Sequence, residues 1–360
     1  MLGPADTIAR LGGDEFAVLQ VASGAREAGE LARRLVAAIG EPFEVEGHQL
    51  NVGTSIGIAL SPQDSDDPDG LLRNADLALY RAKADGRGTH RFFEPAMNDR
   101  AQARRALELD LREALGRGEI ELHYQPQVGL ASGRIAGFEA LARWRHPTRG
   151  MVSPADFIPL AEEIGLIAPI GEWVLRQACA QAATWPGEVK VAVNLSPAQF
   201  RSANLVGVVV GALAASGLPA RRLELEITET VLLERSEANV ATLHRLRALG
   251  VRVALDDFGT GYSSLGYLRS FPFDKIKIDR SFVKELTESS DCLAIVRAVA
   301  GLGASLGICT TAEGVETQEQ LERVRAEGCT EAQGFLISKP GPAGDIAGLL
   351  AAQDRLRDAA

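Results

Sequence analysis

Five apolar stretches in the second half of the chain each run into a polar side chain. Residues 189–193 lead into Asn194, 223–225 into Glu226, 251–255 into Asp256 and Asp257, Ile276 into Lys277, and 308–312 into Glu313. Each stretch reads as a buried strand, and helical-looking segments separate them. That alternation predicts an α/β fold, either a parallel barrel or a doubly wound sheet. In both, the functional site lies at the carboxyl ends of the strands. Side chains far apart in sequence are therefore expected on one rim.

Convergence decides the chemistry. Glu139, Glu226, Asp256, Asp257, Glu313 and Glu316 would bring six carboxylates together, with Arg143 and Lys277 as the local cations. Unpaired buried charge costs several kcal/mol after relaxation. The surplus of about four negative charges matches two divalent cations, and ligation by carboxylates and the Asn194 carbonyl suits Mg²⁺ or Mn²⁺ rather than zinc. Taken singly, any of these acids reads as a solvated strand end. The set of them is what points to metals.

The bulk numbers narrow the class. With 46% hydrophobic and 24% charged residues, the 360-residue chain has the make-up of a soluble globular protein. A net charge of −10 argues against a general DNA or RNA binder, which presents a basic face. An anionic substrate then needs metals or a local Arg or Lys to invert the field. The four cysteines, Cys179, Cys292, Cys309 and Cys329, are widely spaced and read as reduced residues of a cytoplasmic protein. The most apolar run, 205–218, is too short to cross a bilayer, and no signal peptide opens the chain.

Along the chain, residues 6–22 read as a hairpin turning at Gly12 and Gly13. Helices are expected over 25–39 and 69–84, with a strand over 50–60. A charged amphipathic helix over 99–115 reads as a connector. Strands over 120–128 and 134–144, joined by a turn at Ser132 and Gly133, should pair antiparallel. Helices over 154–163 and 170–185 follow. Trp144, Trp173 and Trp185 read as packing residues.

Several strings then carry a resemblance. Glu139-Ala140-Leu141 continues as Ala142-Arg143-Trp144-Arg145-His146-Pro147, and Asp256-Asp257-Phe258-Gly259-Thr260-Gly261 follows later. With Asn194-Leu195-Ser196-Pro197, Glu226-Ile227-Thr228-Glu229, Lys277-Ile278-Asp279, Glu313-Gly314-Val315-Glu316 and Gln333-Gly334-Phe335, they resemble the EAL-domain phosphodiesterases. Those enzymes hydrolyse cyclic di-GMP, and the resemblance covers about residues 107–352. It implies a TIM-like (β/α)8 barrel with one antiparallel strand, two Mg²⁺ or Mn²⁺ ions, linear pGpG as product, and a homodimer through the barrel. It implies metal ligands at Glu139, Asn194, Glu226, Asp256, Asp257 and Glu313, with Asp257 shared between the ions. Lys277 matches the lysine beside the attacking water. Gln125, Leu141, Arg143, Glu316 and Gln333 match the substrate side, and Glu229 matches the anchor of the loop after Asp257. The alternative function is a non-catalytic cyclic di-GMP receptor using the same pocket.

Plainer readings stand beside these. Arg143 reads equally as a solvated strand-end charge, Lys277 as a counter-ion for Asp257, and Gln125 and Gln333 as buried amides satisfying the backbone. Phe335 suits base stacking or core packing. The physical case for hydrolysis is independent of the resemblance. A phosphodiester repels nucleophiles with its anionic oxygens, two cations roughly 3.5–4 Å apart screen that charge, and a lysine stabilises the rest. Arginine offers a planar fork that fits a phosphate. The glycines after Asp257 permit a mobile loop, expected over 258–265.

The N-terminal segment, 1–93, resembles part of a GGDEF diguanylate cyclase domain, which is α+β. Gly12-Gly13-Asp14-Glu15-Phe16 is the signature hairpin, and Lys83-Ala84-Asp85-Gly86-Arg87 resembles a late phosphate-binding segment. The chain begins immediately before the hairpin, so a competent cyclase site is not expected. Residues 94–106 read as a linker helix, and 107–352 as the barrel.

Overall fold

The computed structural model describes residues 1–358 except 22, 23, 46, 203, 234–236, 260–270 and 272. The chain divides into two compact units, Met1–Leu109 and Asp110–Ala360.

In the first unit, β1 (Thr7–Gly12) and β2 (Glu15–Leu19) form the antiparallel hairpin turning at Gly13. Then come α1 (Ala25–Ile39), the short hairpin of β3 (Phe43–Val45) and β4 (His48–Leu50), and β5 (Ile56–Ile58). The expected strand over 50–60 is thus confined to Leu50, at the end of β4, and the three residues of β5. Helix α2 (Pro68–Ala84) crosses over to β6 (His90–Phe92), which pairs parallel to β5. Asp67 caps α2 by accepting from the Gly70 N–H at 2.8 Å, with Pro68 just inside the helix. A Cβ at Gly57 would sit 1.9 Å from the Ala75 carbonyl oxygen, so only glycine lets β5 approach α2 this closely. A small core of Ala78, Phe93 and Met97 lies beneath. Helix α3 (Pro95–Ala114) is longer than the connector expected from sequence.

In the second unit, β7 (Ile120–Gly129) and β8 (Ile135–His146) form the expected antiparallel pair. Short β9 (Gly150–Val152) extends the edge of β8. Helices α4 (Pro154–Glu163) and α5 (Ile167–Ala183) lead to β10 (Lys190–Leu195). Helices α6 (Pro197–Phe200) and α7 (Leu205–Ser216) connect to β11 (Leu223–Thr228), and α8 (Glu229–Leu233) and α9 (Glu237–Ala248) to β12 (Arg252–Phe258). After β13 (Lys275–Ile278) come α10 (Arg280–Lys284) and α11 (Ser290–Leu306), β14 (Cys309–Ala312), α12 (Gln318–Ala326) and β15 (Glu331–Ala332). β16 (Gly341–Pro342) pairs with β7, and α13 (Ala343–Asp358) ends the described chain.

Strands β8 and β10 to β15 pair parallel in succession, and β7 closes the ring by pairing antiparallel with both β15 and β8. This is an eight-stranded TIM-like barrel with one antiparallel strand, as the family resemblance implies, and not the doubly wound sheet that the strand pattern also allowed. Outward-facing Val191, Val193, Leu223, Leu225, Ile227, Val253, Leu255, Ile276 and Ile278 are buried under the helices. Each such residue contributes about 1.5–3 kcal/mol by leaving water. Trp144 is fully buried and donates to Glu119 at 3.0 Å, and Trp185 packs edge-on against Tyr124, so both pack as expected. Trp173 is only partly buried.

Candidate active site

Strand periodicity sets which side chains point into the barrel. Alternate residues face inward, and here many of the inward positions are polar. Gln125 and Gln127 come from β7, Glu139 from β8, and Glu224 and Glu226 from β11. Lys275 and Lys277 come from β13, and Glu331 from β15. All eight are buried.

The outer layer centres on Lys277, which is 1% exposed. Its ammonium lies 2.6 Å from Glu226, 2.7 Å from Glu313, 3.2 Å from Asp256 and 3.7 Å from Glu139. Glu139 accepts from the Asn194 amide at 2.6 Å on one oxygen and from the Gln333 amide at 2.5 Å on the other. Gln333 also donates to Gln125 at 3.0 Å, and Gln125 donates to the Ser338 carbonyl at 3.0 Å. Gln333 stands directly after β15 because Gly334 lets the chain run against Val315. A Cβ there would lie 2.1 Å from the Val315 carbonyl oxygen.

Asp256 and Asp257 are consecutive, so a regular strand would send them to opposite faces. The β12–β13 register shifts between Leu255 and Phe258, and Asp257 has φ of +53°, in the left-handed region. This bulge turns both carboxylates the same way. Oxygens of Asp256, Asp257 and Glu313 consequently lie within 4.8 Å of one another. The left-handed turn costs about 1–2 kcal/mol in an ordinary residue and less in Asp. Beyond it, Glu229 accepts from the Gly259 N–H at 3.0 Å. Phe258 and Gly259 are described, whereas 260–265 of the expected loop lie outside the described residues.

Electrostatics separates the carboxylates. Burial pushes Glu226 well above the usual carboxylate range, and Glu139, Asp256 and Glu313 reinforce that against Lys277. Burial likewise pushes Glu313 up to about 8, against the pull of Lys277. Asp257 is raised by burial and by Asp256. Glu139 goes the other way despite its burial, because Lys277 and the amides of Gln333 and Asn194 stabilise its charge. For Lys277, burial is outweighed by the surrounding carboxylates, so its ammonium is held charged. The cluster therefore carries more negative charge than one lysine balances. Divalent cations would relieve it, and the oxygen-only donor set suits Mg²⁺ or Mn²⁺. Ligands at about 2.0–2.1 Å place oxygens up to about 4.2 Å apart across a cation, so small shifts would close the Asp256, Asp257 and Glu313 set.

The remaining predicted residues are less tightly joined. Leu141 and Arg143 share the face of β8 that carries Glu139. Arg143 is half-buried and donates to the Ala142 carbonyl at 2.9 Å. Glu316 is exposed, and its N–H donates to Gln320 at 2.8 Å. Gln125 and Gln333 are buried, with hydrogen bonds inside the protein. Sequence reasoning missed the layer beneath, where Lys275 contacts Glu224 at 2.5 Å, Glu331 at 2.8 Å and Gln127 at 2.8 Å. The signal was available: each of Glu224, Lys275 and Gln127 stands two residues from a residue assigned to the site.

Comparison with known proteins agrees with this architecture. Residues 108–340 match the EAL domain model, and residues 1–89 match the model described as diguanylate cyclase, GGDEF domain. The uncharacterized protein y4lL of Sinorhizobium fredii is 52% identical over 99% of this chain and 43% of its own length. The bifunctional diguanylate cyclase/cyclic di-GMP phosphodiesterase MucR of Pseudomonas aeruginosa is 46% identical over 94% of this chain and 50% of its own. The chain thus spans about half the length of the curated relatives it matches. A solved structure described as the PaMucR phosphodiesterase, c-di-GMP complex, shares 46% identity and a TM-score of 0.65, covering 67% of this chain and 99% of that one. Among the described residues no helix is long and apolar enough to cross a membrane. The chain belongs to the EAL domain family, with a GGDEF-type segment ahead of its barrel.

Proposed function

We propose that this chain is a Mg²⁺- or Mn²⁺-dependent phosphodiesterase that opens cyclic di-GMP to linear pGpG in the cytoplasm. The observation that carries the reading is the ring of carboxylates around Lys277, whose surplus negative charge calls for divalent cations. Glu139, Asn194, Glu226, Asp256, Asp257 and Glu313 would hold two ions. When bound, these supply charge neutralisation at the phosphate and a more acidic water.

The protein's own groups do the rest. Lys277 is held charged by the carboxylates around it, so it can favour the ionised form of the attacking water and offset transition-state charge. Arg143 shares the Glu139 face and offers a planar fork for a phosphate oxygen. Leu141, Gln125, Gln333 and Glu316 form the substrate side. Glu229 steadies the chain after Asp257 by accepting from Gly259. A second copy of the chain, joined barrel to barrel, belongs to this reading. DNA and RNA do not, given the net charge of −10.

The competing reading, a receptor that binds cyclic di-GMP without cleaving it, goes with loss of metal ligands. Here every ligand position is filled, which supports the enzyme. We assign no cyclase chemistry to residues 1–109. The test is incubation with cyclic di-GMP in EDTA, Mg²⁺ or Mn²⁺, followed by separation of nucleotides. Divalent-dependent pGpG is expected from wild type and none from Asp257→Ala. Equal turnover in EDTA would refute the metal assignment.

A further inference from the structure

The layer beneath the rim holds a cation for which the proposed chemistry has no task. Lys275 is 1% exposed and contacts Glu224 at 2.5 Å, Glu331 at 2.8 Å and Gln127 Oε1 at 2.8 Å. A lysine ammonium has donors and no acceptor. The Gln127 atom facing it must therefore be the carbonyl oxygen.

The consequence propagates. The Gln127 nitrogen faces the opposite way, where it donates to Gln333 Oε1 at 3.0 Å and lies 3.5 Å from Glu226 Oε1. With its oxygen turned to Gln127, Gln333 presents its nitrogen to Glu139 at 2.5 Å and to Gln125 Oε1 at 3.0 Å. Gln125 then has its nitrogen on the Ser338 carbonyl at 3.0 Å. Each link dictates the next. A flip at any amide would set donor against donor or acceptor against acceptor in a site where Gln127, Gln333 and Gln125 are all buried.

We propose that Lys275 fixes the direction of this hydrogen-bond chain, and that Gln127 is a positioning residue keeping an N–H of Gln333 on Glu139. This deepens the function proposed above and rests on it for the role of Glu139 as a metal ligand. Both oxygens of Glu139 accept from amides, Asn194 on one and Gln333 on the other. Such outer partners orient a ligand, and their loss typically costs about 10–100-fold in metal affinity.

Gln127→Glu gives a test in which two explanations differ in sign. Ionised by contact with Lys275, as Glu331 is, the new carboxylate keeps the side-chain shape and the acceptor for Lys275 but has no proton for Gln333. Gln333 Oε1 then meets an acceptor at residue 127, and turning the amide to relieve that contact sets the same oxygen against Glu139 and Gln125 instead. Charge alone predicts tighter Mn²⁺ binding, because a carboxylate has been added beside the site. The directed chain predicts weaker binding, by about 10–100-fold. Gln127→Met breaks the link without reversing it and should lose less. Mn²⁺ dissociation constants come from electron paramagnetic resonance of the free ion without substrate, with circular dichroism melting as the check on folding. Unchanged or tighter Mn²⁺ binding by folded Gln127→Glu overturns the proposal. If wild type binds no Mn²⁺, the metal-dependent function fails, and neutron diffraction from metal-free wild-type crystals decides the chain separately. The same measurement decides if the Glu variant does not fold. Amide deuterons of Gln127 directed at Gln333, and those of Gln333 at Glu139, support the chain; the reverse orientation overturns it.

Discussion

Replacing Lys277 with Met removes the ammonium that contacts Glu226, Asp256 and Glu313 at 2.6, 3.2 and 2.7 Å, and leaves a side chain of similar length. Breaking a buried ion pair by deleting one partner costs about 3–5 kcal/mol. The lower end applies here, because burial already raises Glu226 and Glu313 enough for protons to take over part of the neutralisation. A loss of roughly 3 kcal/mol lowers the melting temperature of a domain of about 150–250 residues by about 6–12 °C. Melting in EDTA, followed by circular dichroism, reads this loss. Saturating Mn²⁺ should then stabilise Lys277→Met more than wild type, because the ions supply the missing positive charge without displacing a lysine. At one hundred times its dissociation constant, a bound ion adds about 2.7 kcal/mol. A variant that melts within about 2 °C of wild type in EDTA refutes the claim that Lys277 neutralises this cluster. An equal Mn²⁺ shift in both proteins refutes the claim that lysine and metals share the carboxylates.

Three further outcomes are expected. Glu229→Ala should lower turnover mainly by weakening metal binding, because its carboxylate holds Gly259 and not a metal. Raising Mn²⁺ should partly rescue it but not Glu226→Ala, and equal failure in a metal titration of the two would discard the anchor role. Burial opposes ionisation of Glu331, but Lys275 outweighs it and lowers its pKa below the ordinary 4.5. The stability it contributes is therefore present above about pH 4.5 and lost as pH falls through the lowered value. Urea unfolding from pH 3 to 7 should show an acid-side slope that is shallower in Glu331→Gln, and identical slopes would contradict this. Burial pushes the thiols of Cys179 and Cys329 up to about 12. Iodoacetamide at pH 8 should leave both unlabelled in native protein and label them after denaturation, as read by peptide mass.

The strands were legible because they are buried on both sides of the sheet, and the family resemblance chose the barrel over a doubly wound sheet. Short, largely apolar runs such as 251–255, interrupted only by Arg252 and ending in Asp256, reveal strand and rim together. The antiparallel start was legible from the short turn at Ser132 and Gly133 between two apolar segments. What the sequence hid was the pairing within the inner polar layer. Glu224 and Lys275 stand two residues before Glu226 and Lys277 on strands where polar and apolar residues alternate, but nothing local marks the two as partners of one ion pair. Their partnership depends on barrel closure, which brings β11, β13, β15 and β7 into one interior. The turn at Asp257 was hidden for a different reason. Two adjacent acids do not announce a left-handed residue, and only the bulge between Leu255 and Phe258 places both carboxylates on one side.

The most direct test of the central claim follows binding and cleavage in one sample. Wild type, Lys277→Met and metal-free wild type would each be mixed with cyclic di-GMP, with bound nucleotide measured by equilibrium dialysis and products separated by chromatography. The account predicts that wild type with Mn²⁺ converts the ring to pGpG. It predicts that Lys277→Met binds the ring but leaves it closed, and that metal-free wild type yields no linear product. Retention of intact cyclic di-GMP by wild type in saturating Mg²⁺ and Mn²⁺ would contradict it and establish a receptor.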